Sequence, residues 1–303
     1  MARNKNTIKG SLSDKVFMAL DWILLSILLV IVIIPLLNVV SSSLSAPVAV
    51  GAGKVYLLPK GFSFKAYVSL MREKTIMTGF FNTVFYAVTG TVLNVIMTVA
   101  CAYPLSRKEL IGRNSVMFYF TFTMLFSGGM MPNYLLIKSL GLLNTRWVMI
   151  LPGAMTVYNM IVARTFFMNT IPQELNEAAT IDGASDFRLI ISIVLPLSAP
   201  IIAVLSLFYA VGHWNSFFDC FLYNSKPELF NLQVVLRNFM ANIKAMMDTS
   251  GITDSIAAAQ DIALFQEVLK YAIIVFTSIP IILVYPFVQK HFIKGVMIGS
   301  LKG

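Results

Sequence analysis

The sequence predicts an all-α fold: a polytopic membrane helical bundle of six transmembrane helices with a cytoplasmic helix–turn–helix coupling loop, the whole of 1–303 forming a single transmembrane domain. Three observations predict it. Of 303 residues, 57% are hydrophobic and only 12% are charged, where a soluble domain carries about 25% charged residues. The mean hydropathy is +0.78. Six long runs almost free of charge follow one another, each able to supply the roughly 20 residues that a span needs. In hydrocarbon such runs are helical, because every backbone polar group must be satisfied within its own segment.

The first span is expected at about 16–40, behind Arg3, Lys5, Lys9 and Lys15. The uncharged stretch Trp22–Val40 is longer than the apolar core of a signal peptide, so this span is expected to be retained. The second, 78–104, ends in Arg107, Lys108 and Arg113, and the third, 114–137, contains Gly128-Gly129 and Pro132. The fourth, fifth and sixth fall at 147–168, 190–216 and 269–289, with the coupling loop at 169–193. An even count places both termini on one side. The basic tails, with the link at Arg107–Arg113, place that side in the cytoplasm by the positive-inside rule, although Lys54, Lys60, Lys65, Arg72 and Lys74 crowd the first outer loop. Residues 255–264 carry good helix formers and are expected to lead into the sixth span as an outer helix. Pro35, Pro104, Pro132, Pro152, Pro196, Pro200, Pro280 and Pro286 fall in or beside spans. Each removes a donor and bends its helix, either as ordinary membrane-helix usage or to shape a pathway.

Several function classes are disfavoured by composition and spacing. The net charge of +9 is scattered at the ends of apolar runs. It marks topology and lipid-headgroup contact rather than a nucleic-acid surface. Cys101 and Cys220 form neither a disulfide framework nor a metal spacing. His213 and His291 lie at opposite ends of spans, so no metal site or dyad is expected. Gly51-Ala52-Gly53-Lys54 lacks phosphate-loop spacing, and Val55 stands where Ser or Thr is needed. No hydrolase motif is present. The chain is expected to have no catalytic residues and to bind no cofactor itself.

The loop before the fifth span is the most informative segment. Thr170 and Gln173 have capping-box spacing, and Pro172 suits a first helical turn. Glu174 and Glu177 fall near the helix N-terminus, where the macrodipole favours anions. Leu175, Ala178, Ala179 and Asp182 share one face, and Gly183 suits a left-handed stop. On residue type alone, this reads equally as a solvated acidic loop or as a docking surface whose alanines let a partner approach closely.

The run Glu177-Ala178-Ala179, three residues, Gly183, nine residues, Ile193, one residue, Leu195-Pro196 resembles the EAA loop of binding-protein-dependent ABC importer permeases at every fixed position. The segments 210–218 and 290–303 are similar to the carbohydrate-uptake branch, and the likeness runs from about residue 16 to the end. The resemblance implies an importer permease of the bacterial plasma membrane that moves a sugar or oligosaccharide by alternating access. It implies as partners a homologous permease subunit, two cytoplasmic ATPase subunits holding ATP and Mg, and an extracytoplasmic solute-binding lipoprotein. Glu174, Glu177, Ala178, Ala179, Asp182, Gly183 and Pro196 would form the ATPase-coupling site, with Ala178 and Ala179 packing into the ATPase cleft. Candidates for the substrate path, by their polar and aromatic chemistry, are Asn133, Tyr134, Asn159, Tyr209, His213, Trp214 and Asn215. The same residue types also serve interhelical hydrogen bonding. A permease for a peptide, an ion-coupled carrier and a membrane enzyme are the competing readings; the lack of a buried charged cluster weighs against the carrier.

Overall fold

The structure, a computed structural model, describes residues 12–249 and 256–300. The basic residues Arg3, Lys5, Lys9 and Lys302 and the first position of the expected outer helix, Ser255, lie outside these. All regular structure among the described residues is helical. The chain divides into two compact units, 1–70 with 243–276 and 71–242 with 277–303.

In the first unit, α1 (Leu12–Ser43) is an uncharged helix apart from its first turns, and its large apolar side chains are exposed along most of its length. Only its last turn is buried, and that turn is polar for a reason. Asn38 Nδ2 donates to the carbonyls of Val55 (2.9 Å) and Tyr56 (3.0 Å), and Ser41 Oγ donates to Leu57 O (2.7 Å). These bonds satisfy an irregular backbone segment that has no helix of its own. The short helix α2 (Pro47–Gly51) follows, and then α3 (Lys65–Arg72) begins.

In the second unit the post is α4 (Lys74–Ser106), 33 residues long. It packs on α7 (Val157–Thr170) and α11 (Ala199–Trp214). Val99, Ala102 and Tyr103 meet Met160, Ala163 and Phe167 of α7 and Leu205 and Tyr209 of α11 in one buried core. Between them the chain forms α5 (Arg113–Leu125) and α6 (Met130–Ser139), then a single tight turn over Arg146–Met149. After α7 come α8 (Gln173–Ile181), α9 (Asp186–Leu189), a wide π turn over Ile190–Val194 and α10 (Leu195–Leu197). After α11 come α12 (Phe218–Tyr223), α13 (Leu232–Thr249) and α14 (Ile256–Ser300).

Among the described residues, three helices are long and apolar enough to cross a membrane: α1, α4 and the part of α14 at Ala263–Pro286. A fourth is obtained if the bent pair Asp186–Leu197 and Ala199–Trp214, which turns by 82°, counts as one. The expected third and fourth runs are not continuous helices. The third breaks between Leu125 and Met130, at Gly128-Gly129, and the fourth is non-helical from Ile150 to Thr156, around Pro152-Gly153. At 1.5 Å per residue, the 13-, 10- and 14-residue pieces α5, α6 and α7 each reach about 20 Å or less, short of a core of roughly 30 Å.

A polar stripe on α4 holds irregular backbone at Gly153 in the fourth run and along the link from Glu228 to Leu232. Asn82 Nδ2 donates to Glu228 O (2.8 Å) and Phe230 O (3.0 Å), and Tyr86 OH donates to Leu229 O (2.9 Å). Thr83 Oγ1 accepts from Leu232 N–H (2.8 Å). Asn94 donates to Gly153 O, and Thr98 shares a hydrogen bond of 2.7 Å with the Tyr209 hydroxyl. Asn82, Thr83, Asn94 and Thr98 are all buried. Replacing Asn82 with Ala strands two carbonyls, at a cost of about 1–3 kcal/mol. Asn215→Ala, which removes only an exposed bond to its own helix at Val211 O, is expected to change stability by less than about 0.5 kcal/mol. Thermal unfolding of the two variants in detergent checks the contrast: a lower Tm for Asn82→Ala alone.

Candidate functional site

Two features concentrate polar chemistry. The first is an elbow made by α8, a turn and α9. Thr170 closes α7 rather than capping the next helix, so the expected capping box does not form; α8 starts at Gln173, directly after Pro172. Gln173 instead reaches sideways, its Nε2 donating to Glu109 Oε1 (3.0 Å) and Glu177 Oε1 (3.2 Å). The helix ends as its glycine requires. Gly183 has φ +71°, Asp182 N–H donates to Ala178 O (3.0 Å), and Ala184 N–H reaches back to Ala179 O (2.9 Å). That six-residue closure is a Schellman stop. Ser185 then caps α9 by accepting from Arg188 N–H. Beyond it, Leu195 N–H bonds to Ile190 O, five residues back, beside Pro196, which has no N–H to give.

The elbow is braced to α4. Tyr103 OH donates to Asn176 Oδ1 (3.0 Å), and Arg107 Nη1 donates to Tyr103 OH (3.1 Å). Arg164 Nε caps Leu105 O (2.8 Å), one of the last carbonyls of α4. Burial sorts the expected coupling residues. Glu174, Glu177, Ala178, Asp182, Gly183 and Pro196 are exposed, as are Ile181 and Phe187. Ala179 is the exception. It is 6% exposed and sits in the chain's own core with Phe167 and Leu189. The face that carries Asn176 and Ala179 is the one that seats α8 on α4 and α7.

Adding a Cβ at Gly183 meets nothing within 4 Å, so Gly183→Ala pays only for the left-handed backbone, about 1–2 kcal/mol. Exchange of the Ala184 amide is expected to speed roughly 5–30-fold with global Tm unchanged; hydrogen-exchange mass spectrometry reads it. The Glu109 carboxyl is held below its ordinary pKa by its own backbone N–H first, against desolvation that raises it, with further lowering by Arg107 and Lys108. A depressed folded-state pKa contributes stability that is present above the unfolded value and lost as pH falls through the folded one. Acidification through and below the usual carboxylate range should therefore loosen the Glu109–Gln173 contact and speed exchange in α8, and Glu109→Gln should remove that dependence.

The second feature is a cavity of about 750 Å³ bounded by α6, the Val148–Thr156 segment, α7, α11 and α12. Four of the seven expected path residues line it together: Asn133, Asn159, Tyr209 and His213. The other three do not. Tyr134 stacks on Tyr223 (6.1 Å between ring centres), and Asn215 bonds to its own helix. Trp214 donates Nε1–H to Thr277 O (3.1 Å) with its ring edge-on to Phe80 (5.9 Å). It faces a separate apolar pocket of about 450 Å³.

His213 Nε2 lies 2.7 Å from Asn94 Oδ1. Since the Asn94 amide donates to Gly153 O, its oxygen accepts, and Nε2 carries the proton. Gly90 makes this approach possible, because a Cβ there would fall 2.3 Å from Nε2. Sequence reading missed Asn94, Gly90, Thr156, Ser216 and Asp219. Only Asp219 left a signal, as the single acidic residue between Asp186 and Glu228. Among the described residues no group of His, Cys, Asp or Glu is placed to hold a metal ion.

Residues 75–298 match the family described as binding-protein-dependent transport system inner membrane component. The chain is 39% identical to the polygalacturonan/rhamnogalacturonan transport system permease protein YtcP of Bacillus subtilis, covering 96% of this chain and 100% of that one. It is 38% identical to Protein LplC of the same organism, over 98% and 99% of the two chains. Its fold matches a chain in the crystal structure of a bacterial ABC transporter involved in the import of the acidic polysaccharide alginate. The TM-score is 0.79 at 33% identity, over 93% of this chain and 99% of that one.

Proposed function

Because this chain belongs to the family of binding-protein-dependent transport system inner membrane components, we propose that it is the transmembrane permease subunit of an ATP-driven importer for a sugar or oligosaccharide. The observation that carries this reading is the elbow. Its glycine stop and its brace to α4 present Glu174, Glu177, Ala178 and Asp182 outward on a short rigid helix. An exposed carboxylate beside a bare alanine surface suits close docking against a basic cleft, and the matching relatives named for polysaccharide transport support a carbohydrate cargo.

On this reading the chain is a transport subunit and no enzyme. ATP and Mg belong to two ATPase subunits on the cytoplasmic face. A homologous permease completes the path, and an extracytoplasmic solute-binding lipoprotein delivers the sugar. Residues 1–303 act as one domain crossing the bacterial plasma membrane six times with both termini in the cytoplasm. The third and fourth crossings are assembled from broken helices, a construction that membranes tolerate where the breaks lie against protein or a cavity. Asn133, Asn159, Tyr209 and His213 line the path. Tyr134, Trp214 and Asn215 shape it from behind.

Movement of the elbow by the ATPase pair is transmitted through α8 and the Tyr103–Asn176 contact to α4. Glu177→Lys puts a cation against the basic cleft, a like-charge contact that costs several kcal/mol. Sugar-stimulated ATP hydrolysis and uptake by the reconstituted importer are expected to fall roughly ten-fold or more, with insertion of the permease unchanged. Normal stimulation in this variant contradicts the docking role.

A further inference from the structure

The first outer loop carries lysines that the topology does not use. Lys54, Lys60 and Lys65 fall on the side of the membrane where the positive-inside rule places few cations, and no acidic residue lies between Asp21 and Glu73. The fold fixes the depth at which these lysines sit. From Trp22 to Ser43 the helix α1 is free of charge. At 1.5 Å per residue that stretch spans about 33 Å, close to the roughly 30 Å of a hydrocarbon core. Its final turns therefore meet the headgroup region.

Those same turns are stapled to the loop. Asn38 and Ser41 hold the carbonyls of Val55, Tyr56 and Leu57. Lys60 N–H donates to Ser45 Oγ (3.0 Å), and Ser63 N–H donates to Leu44 O (2.9 Å). The Ser43 and Tyr67 hydroxyls share a hydrogen bond of 2.7 Å. Residues 54–67 are in this way a pad fixed to the end of α1.

The pad is apolar and cationic at once. Tyr56, Leu58, Phe62 and Phe64 are each more than half exposed, and the Phe62 and Phe64 rings pack edge to face (4.9 Å). Lys54, Lys60 and Lys65 are exposed among them along the chain. Apolar side chains held this way are unfavourable in water. At a membrane surface aromatic rings settle at headgroup level, and lysines reach the lipid phosphates. An acidic oligosaccharide could use the lysines and the rings, but it would leave Leu57 and Leu58 uncovered.

We propose that residues 54–67 are an interfacial anchor that seats the outer end of α1 in the extracytoplasmic leaflet and gathers anionic lipid headgroups there. The choice of leaflet rests on the topology proposed above. The contact with lipid rests on the pad itself.

The test uses the complete importer in nanodiscs. Phe62→Trp adds an indole to the pad, and its emission is read against the parent chain. Lipids brominated high on the acyl chain are expected to quench it, while aqueous acrylamide is not. Brominated phosphatidylglycerol should quench with a roughly five-fold or greater preference over brominated phosphatidylcholine at low salt. Exchanging Lys54, Lys60 and Lys65 together for Gln should bring that preference close to one. Tyr56→Trp gives the same readout if Phe62→Trp fails to assemble. Quenching by acrylamide alone places the pad in water, and quenching by neither reagent places a protein partner over it; either result overturns the anchor. Equal quenching by the two lipids with all three lysines in place overturns the selectivity for anionic headgroups. Lys54→Cys is expected to react with an impermeant maleimide added outside intact cells. Reaction only after lysis, with lipid quenching intact, overturns the topology and leaves the lipid contact standing.

Discussion

The constraint on which the second unit depends is that irregular backbone packed against α4 must find hydrogen-bond partners within the protein. That helix supplies them at Gly153 and along the link from Glu228 to Leu232. Gly79, Thr83, Tyr86, Gly90, Asn94 and Thr98 recur at helical spacing on α4. The side chains of this stripe, with that of Asn82, reach backbone atoms at Gly153, Glu228, Leu229, Phe230 and Leu232. Its glycines serve by absence, letting Val235 and the His213 ring approach where a methyl would collide. An apolar helix in place of α4 would bury as much surface and leave these breaks unsatisfied.

The two functional features grow from the same helix. At one end Tyr103 and Arg107 seat the elbow. At its middle Asn94 sets both the Gly153 carbonyl and the His213 ring, which belong to two walls of the cavity. Continuous packed structure joins the elbow to the cavity, by way of the Tyr103–Phe167 edge-to-face contact (5.8 Å) and the core of α4, α7 and α11.

Much of this was legible in the amino-acid order. Uninterrupted apolar runs gave α1, α4 and the membrane-length part of α14, and the glycine at 183 gave the end of α8, because each rests on local chemistry. The broken third and fourth runs were less legible. Gly128-Gly129 and Pro152-Gly153 advertise breaks, but whether a break is tolerated depends on a donor brought from elsewhere, and Asn94 is 59 residues from Gly153. Long-range pairing also sets the place of Trp214, whose indole turns to Thr277, while Thr170 ends one helix instead of starting the next. Ala179 shows what packing adds to a motif: its small side chain suits a close contact, and the core of this chain already makes one with it.

What faces the exposed side of α8 decides the docking role. A single cysteine at Ile181, 86% exposed at the tip of that helix, can be tested with a short bifunctional maleimide in membranes that hold the whole importer. The account predicts a cross-link to the ATPase subunit and protection from impermeant reagent added outside intact cells. Labelling from the external face, with no ATPase cross-link, would contradict it.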